Sequence, residues 1–384
     1  MILHRPFALF ALSVAAVLPA QTFQVVVCET PVGSGGGQPV ERFSVAGTNG
    51  AATRIADMPG TSVDDPVALA FDNRFELFVG NRDAHHGNST ISRFVFDPTF
   101  TSFTQNGTIA GNAVTDAAQL AFDPVSGELF QCNFTGGLLS RFVFDAQGNA
   151  NANGTVQMPD GANQLGVAIR PADQQLFVSS YTFVRRFARQ ANGSYVHLGD
   201  LAIPGATLIH FLAFRGDELY VCDIQTNAVH RFRFDAQGNP VANGSVPVTS
   251  AIGCAFSPDL EEMFVARHFA GGFQRLLYQA ATDTWSPTTV VAGPQMGGIA
   301  TTVHWFESYG SGCPGAGAVV PTLQGYGIPR PGYTTVLRTQ LGVPGNFGIL
   351  SMAALPGSVP VLGCTWLQSA HIGNTNLFLL DAAG

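Results

Sequence analysis

Apolar residues recur along this chain in short runs set at a long, regular interval, never at helical spacing. Apolar-Ala-apolar cores stand at Leu69-Ala70-Phe71, Leu120-Ala121-Phe122, Val167-Ala168-Ile169, Leu212-Ala213-Phe214 and Cys254-Ala255-Phe256, with Ile299-Ala300-Thr301 as a weaker sixth. Interleaved with them are Val25-Val26-Val27, Leu77-Phe78-Val79, Leu129-Phe130-Gln131, Leu176-Phe177-Val178, Leu219-Tyr220-Val221 and Met263-Phe264-Val265. A third run begins each time at an arginine: Arg42, Arg93, Arg141, Arg186, Arg231 and Arg275, at intervals of 44–51 residues. Runs this short, bounded by turn residues, read as strands. Self-similarity at such a period marks a repeat architecture.

Each unit reads as four strands: a around the Ala, b as the Leu-Phe-Val run, c from the Arg, and d after it. Asp145-Ala146-Gln147-Gly148-Asn149 and Asp235-Ala236-Gln237-Gly238-Asn239 are near-identical turn sequences. Asn106-Gly107, Asn153-Gly154, Asn192-Gly193 and Asn243-Gly244 are read as turns leading into strand d, because Asn and Gly tolerate positive φ. Four-stranded units of this length predict an all-β fold, a six-bladed β-propeller. The order of the series predicts how the ring closes. The chain supplies b, c and d first, from Val25 to Ile55, and the repeats finish on an unpartnered a at Ile299. N-terminal strands pairing with this late strand would complete a sixth blade and remove every free edge.

Residues 1–20 read as a secretory signal: His4 and Arg5, an apolar run from Phe7 to Leu18, and Ala20 for cleavage. That run is shorter than the roughly 20 residues a membrane span needs, and no other segment is a candidate. The propeller is assigned to residues 21–308. From 309 to 384 the chain turns Gly- and Pro-rich, with short apolar strands at Thr334–Leu337, Gly348–Met352 and Leu377–Leu380. These predict a small β-sandwich-like domain. Localisation is therefore expected to be secreted or extracytoplasmic: periplasm, cell surface or extracellular space.

The blade rhythm over residues 21–308 resembles secreted six-bladed propellers of the NHL and gluconolactonase type, and more loosely the YVTN lactonase-like propellers. The resemblance implies a ligand site at the channel mouth. Several members are metal-dependent lactone hydrolases and others only bind partners. No carboxylate-and-asparagine metal cage of the hydrolases is matched here. The stretch Tyr309-Gly-Ser-Gly-Cys313-Pro-Gly is similar to the start of a C-terminal module of secreted proteins from planctomycete-like bacteria.

Composition narrows the chemistry. Of 384 residues only 11% are charged, against about 25% in average chains, and the net charge is −8. All 18 basic residues are arginine. Without lysine there is no Schiff-base chemistry and no Walker loop, and an acidic chain without basic clusters predicts no nucleic-acid partner. The expected partner is an extracellular small molecule, glycan or protein.

In a propeller the b–c and d–a connections surround one end of the channel. By the repeat alignment, Arg82, Asp83, Tyr181 and the b-strand ends Glu29, Asn133, Asp223 and His268 belong there, with Asp65, Asp116, Asp160 and His210 from the d–a connections. Residues repeated in every blade are read as structural, the six strand-c arginines first among them. Ligand binding is assigned to Glu29, Asp83, Asn133, Asp223 and His268. Asp83, His85 and His86 form the candidate metal set, since imidazole and carboxylate are ordinary ligands, and the acidic mouth would suit Ca²⁺ or another divalent cation. Cys28, Cys132 and Cys222 share one strand-b position with Gly80, Ser179 and Ala266, which marks a packing site for small side chains. Cys313 and Cys364 are expected to form a disulfide in the small domain. The reading that follows is a secreted binding or interaction module; the alternative is a metal-dependent lactonase-like hydrolase on the same ring.

Overall fold

The structure, a computed structural model, describes residues 22–29, 39–46, 49–58, 63, 65–72, 75–82, 89–97, 100–111, 114–258 and 260–302, and beyond them the backbone of six strands between 322 and 379. The chain opens with β1 (Thr22–Glu29), β2 (Val40–Ala46) and β3 (Ala52–Arg54). Five antiparallel four-stranded sheets follow in order. They are β4 (Pro66–Phe71) to β7 (Phe103–Ile109), β8 (Ala117–Asp123) to β11 (Ala150–Gln157), and β12 (Val167–Ile169) to β15 (Tyr195–Ala202). Next come β16 (Ile209–Arg215) to β19 (Pro240–Pro247) and β20 (Ala251–Phe256) to β23 (Thr284–Val291). The late strand β24 (Met296–Thr301) then pairs with β1, giving the order β24-β1-β2-β3. Val26 stands opposite Ala300, and Val27 opposite Ile299. The protein is an all-β, six-bladed propeller, closed as the order of its repeats predicts.

Packing shows the same closure. Six buried apolar clusters fill the six gaps between successive blades, and one of them joins Phe264 and Phe273 of blade 6 to Phe23, Val25 and Phe43 of blade 1. Both faces of each sheet are covered, so strand b is buried from end to end, as in Glu76–Asn81. This explains the continuous apolar runs in place of strict alternation.

The strand-c arginines hold the ring at its other face. Each lies diagonally from an acid or amide two residues before the strand-b aromatic or valine: Gln24, Glu76, Glu128, Gln175, Glu218 and Glu262. Five of the six also donate to a carbonyl in the next blade's c–d turn. Arg42 reaches Phe100 at 2.7 Å, Arg93 reaches Gly148 at 2.8 Å, Arg186 reaches Gly238 at 2.7 Å, Arg231 reaches Asp283 at 2.8 Å, and Arg275 reaches Gly50. Several guanidiniums lie over the strand-b ring of their own blade, 5.6 to 6.0 Å from its centre.

One expectation is corrected. Asn106-Gly107, Asn153-Gly154 and Asn243-Gly244 lie inside strand d, not in turns before it. At each, the register shifts opposite the strand-c arginine, and the glycine takes positive φ, +85° at Gly244. These are bulges, where one extra residue bends the strand. The bend aims the asparagine amide at the buried carboxylate: Asn106 donates to Glu76 at 2.9 Å and Asn243 to Glu218 at 2.6 Å. Only Asn192-Gly193 sits in the turn before its strand d, as read from sequence.

Among the described residues, no helix is long and apolar enough to cross a membrane. Cys28, Cys132 and Cys222 are free and buried, as is Cys254. Burial pushes the Cys28 thiol up to about 12, so it packs as a small hydrophobe. Past residue 302, strands Thr322–Gly327 and Thr335–Gln340 pair, as do Phe347–Leu350 with Asn376–Leu379 and Pro356–Val361 with Cys364–Gln368. Residues 1–21 and Cys313 lie outside the described residues.

Candidate functional site

Two successive positions at the end of strand b divide the work at the channel mouth. The first carries Glu29, Asn81, Asn133, Ser180, Asp223 and Arg267; the second carries Arg82, Phe134, Tyr181, Ile224 and His268 in blades 2 to 6. At Asn81, Asn133 and Asp223 the side chain turns back into the blade. Asn133 is fully engaged: its Oδ1 accepts from Thr115 and Gln131, and its Nδ2 donates to Leu138 and Ser140. Asp223 is sealed from solvent and accepts from the backbone N–H of Gln225, Thr226 and Thr207. These two expected ligand residues therefore close turns, with no oxygen or amide turned to the mouth. Glu29 is half-buried and His268 partly exposed. Asp83, His85 and His86 lie outside the described residues.

The second position presents non-repeating side chains from a repeated backbone bond. Arg82 N–H donates to Asp65 O, Phe134 to Asp116 O, Ile224 to Leu208 O and His268 to Ser250 O, at 2.8–3.1 Å. Each bond ties the b–c corner to the d–a strap of the same blade and fixes where the next side chain emerges. From blades 2 to 4 these side chains touch in series. The Arg82 guanidinium stands 4.4 Å from the centre of the Phe134 ring, which meets Tyr181 edge-on at 6.4 Å. Asp116 accepts from Arg82 Nε at 2.7 Å. On the other side, His268 Nδ1 lies 3.2 Å from Met296 O, and its ring packs edge-on against exposed Phe269.

His210 lies between these two arcs, on the innermost strand of blade 5. Burial holds its imidazole down to about 3, with the electrostatic influence of His268 and Arg82 acting in the same direction and Asp223 opposing it. That Arg82 of blade 2 acts on a residue of blade 5 places both at the channel. Beneath them Gln119 of blade 3 ties three inner strands together. Its Oε1 accepts from Val167 at 2.8 Å and Leu212 at 2.9 Å, and its Nε2 donates to Leu212 O at 2.7 Å. Gly166 leaves room for this contact, since a Cβ there would fall 2.9 Å from Gln119 Oε1 and 2.4 Å from His210 O.

The acidic mouth expected from sequence is largely neutralised by partners. Asp116 pairs with Arg82, and Asp160 with the buried Arg185. Among the described residues no three His, Cys, Asp or Glu side chains converge as metal ligands do. What the geometry offers is a neutral imidazole, a guanidinium, a phenol and aromatic faces. Arg82 and Tyr181 stood among the sequence candidates; Phe134 did not, because a lone Phe in a Phe-rich chain carries no signal until its neighbours are known.

No family model matches the sequence, and no curated protein is similar to it. Solved structures do match. A periplasmic gluconolactonase of Pseudomonas aeruginosa superposes with a TM-score of 0.55 and 16% identity, over 74% of this chain and 99% of that one. A Bacteroides fragilis protein provisionally named a 6-phosphogluconolactonase gives 0.55 and 13%, over 73% and 98%. A chain of a nidogen/laminin complex gives 0.53 and 11%, over 73% and 98%. At such identity the likeness shows the fold alone. The chain shares its fold with a protein named a gluconolactonase and with a chain of a protein complex.

Proposed function

We propose that this chain is an exported binding module whose channel mouth takes a small, neutral, hydroxylated ring compound such as a sugar or sugar lactone. The single observation behind this reading is the arc Arg82–Phe134–Tyr181 facing His210 and His268, all non-repeating side chains on an otherwise repeating ring. Aromatic faces cover the apolar side of such a ligand while the guanidinium, phenol and imidazoles bond its hydroxyls. A base serves catalysis best with a pKa near the working pH. An imidazole held at about 3 is neutral there and a feeble base, which favours binding over proton abstraction.

The lactonase-like alternative draws on fold likeness to the gluconolactonase. A screen of neutral sugars and sugar lactones on residues 21–384, read by saturation-transfer NMR and by lactone hydrolysis with and without chelator, separates the two. Saturable binding without turnover supports the module. Chelator-sensitive turnover supports the hydrolase, and neither result would refute both. Export by the 1–20 signal, a separate domain at 309–384 and a Cys313–Cys364 disulfide complete the proposal; cleavage and the disulfide are read by mass spectrometry of the secreted, non-reduced chain, and the domain boundary by limited proteolysis.

A further inference from the structure

One joint of the ring sets two cysteines against each other. Around the propeller, a small side chain near the end of strand b faces the apolar residue just before the strand-a Ala of the next blade. Cys28 shares a buried cluster with Leu69 in this way, Cys132 with Val167, and Ala266 with Ile299. Between blades 5 and 6 the same two positions hold Cys222, on β17 (Glu218–Asp223), and Cys254, on β20, again in one buried cluster. Both are free thiols in the structure.

The repeat itself supplies the spacing. Gly80 and Leu120 occupy these positions between blades 2 and 3, where a Cβ on residue 80 would stand 3.5 Å from Leu120 Cγ. In cysteine the sulfur takes the place of that Cγ, and across a disulfide a Cβ lies about 3 Å from the far sulfur. The joint is therefore spaced for a bond. The two thiols also act on each other. Burial pushes the Cys222 thiol up, with Cys254 and then Asp223 adding to the rise, whereas burial alone acts on Cys132.

We propose that Cys222 and Cys254 become a disulfide in the exported chain, stapling blade 5 to blade 6 beside the blade that closes the ring. This rests on the export proposed above, since disulfides form and persist outside the cytoplasm. Each thiol gives up its hydrogen and one S–S bond forms. Two electrons and two protons pass to a glutathione or protein disulfide, which leaves as two thiols. The exchange takes place before blades 5 and 6 close, while both thiols still reach solvent and ionise. Closure then shelters the bond, because Cys222 is wholly buried and Cys254 only 7% exposed. The bond closes a loop of about 30 residues and so restricts the unfolded chain.

The test refolds residues 21–384, fully reduced in guanidinium, in a buffer of reduced and oxidised glutathione. Free thiols are then blocked under denaturing conditions and the peptides mapped by mass. Cleavage at arginine puts the two cysteines on separate peptides, Gly216–Arg231 and Phe234–Arg267. These are expected to appear linked, lighter than their sum by two hydrogens, with Cys28 and Cys132 blocked as free thiols. Dithiothreitol is expected to break the link in guanidinium and to leave it intact in the folded chain. Cys254→Val, which repeats the pairing of Cys132 with Val167, is expected to lose the link entirely and leave Cys222 blocked. Unlinked, blocked peptides in the native chain, or Cys222 joined to any other cysteine, would overturn the proposal. Refolding needs no export, so these results strike the pair alone. Retention of residues 1–20 by a full-length chain that pairs on refolding would instead overturn the export on which the proposal rests.

Discussion

Glu262 and Arg275 face each other diagonally across β21 (Glu262–Arg267) and β22 (Phe273–Gln279), with one guanidinium nitrogen 2.7 and 3.0 Å from the two carboxylate oxygens. Neither is accessible to solvent beyond 4%. The pair recurs, with Gln for Glu in two blades, around the whole ring. Removing one partner of such a pair strands a buried charge, whereas removing both costs far less. Glu262→Ala alone is expected to cost about 3–5 kcal/mol in urea unfolding, and Glu262→Met with Arg275→Met together well under the sum of the single changes. Strictly additive costs would mean that the two side chains do not act as a unit.

Gln119 predicts a local effect at the centre of the ring. Its three bonds to Val167 and Leu212 link blade 3 to blades 4 and 5. β12 is only three residues long, so blade 4 depends on this side chain more than its neighbours do. In Gln119→Ala, amide exchange at Val167 and Leu212 is expected to accelerate while Ala255 and Ala70 keep their native rates. Uniform acceleration would point to global loosening instead.

The pH dependence of stability follows from His210. Its imidazole is neutral in the fold down to about 3, against an ordinary value of 6.5. The unfolded chain thus binds the extra proton first, so this contribution is complete above about 6.5 and is lost as pH falls toward 3. The shift corresponds to a loss on the order of 3–5 kcal/mol. Glu41 acts with the opposite sign. Burial raises its carboxyl to about 7, against the opposing pull of Arg54, so its contribution is present below 4.5 and lost as pH rises through 7. His210→Asn is expected to flatten the acid limb of a melting-temperature profile, and Glu41→Gln the neutral limb. A His210→Asn profile that still falls from pH 6.5 to 4 as steeply as the native one would contradict the assignment.

The ring was legible in the sequence because its cause is repetitive. An Ala between large apolar residues is forced wherever six inner strands crowd, and Val26 opposite Ala300 follows from which strand is left over at each end. The arginines were read as structural but their partners were not: Glu or Gln recurs two places before Phe78, Phe130, Phe177, Tyr220 and Phe264, and spacing alone does not say that a diagonal neighbour is a partner. The site was not legible, for a geometric reason. Asn133 and Phe134 are consecutive, and in an extended chain consecutive side chains point to opposite sides. Polar character selected Asn133, which the turn consumes; position selected Phe134. The Asn-Gly pairs misled similarly, since positive φ serves a bulge as well as a turn.

The account rests on the mouth being a ligand site built from second-position side chains. The most direct measurement is the affinity of the best-binding neutral sugar or sugar lactone for the native chain, for Phe134→Ala and Tyr181→Ala, and for Asp235→Asn on the far face. The account predicts a loss of about tenfold or more in each of the two mouth variants and none in Asp235→Asn. Equal affinity in all four proteins would contradict it.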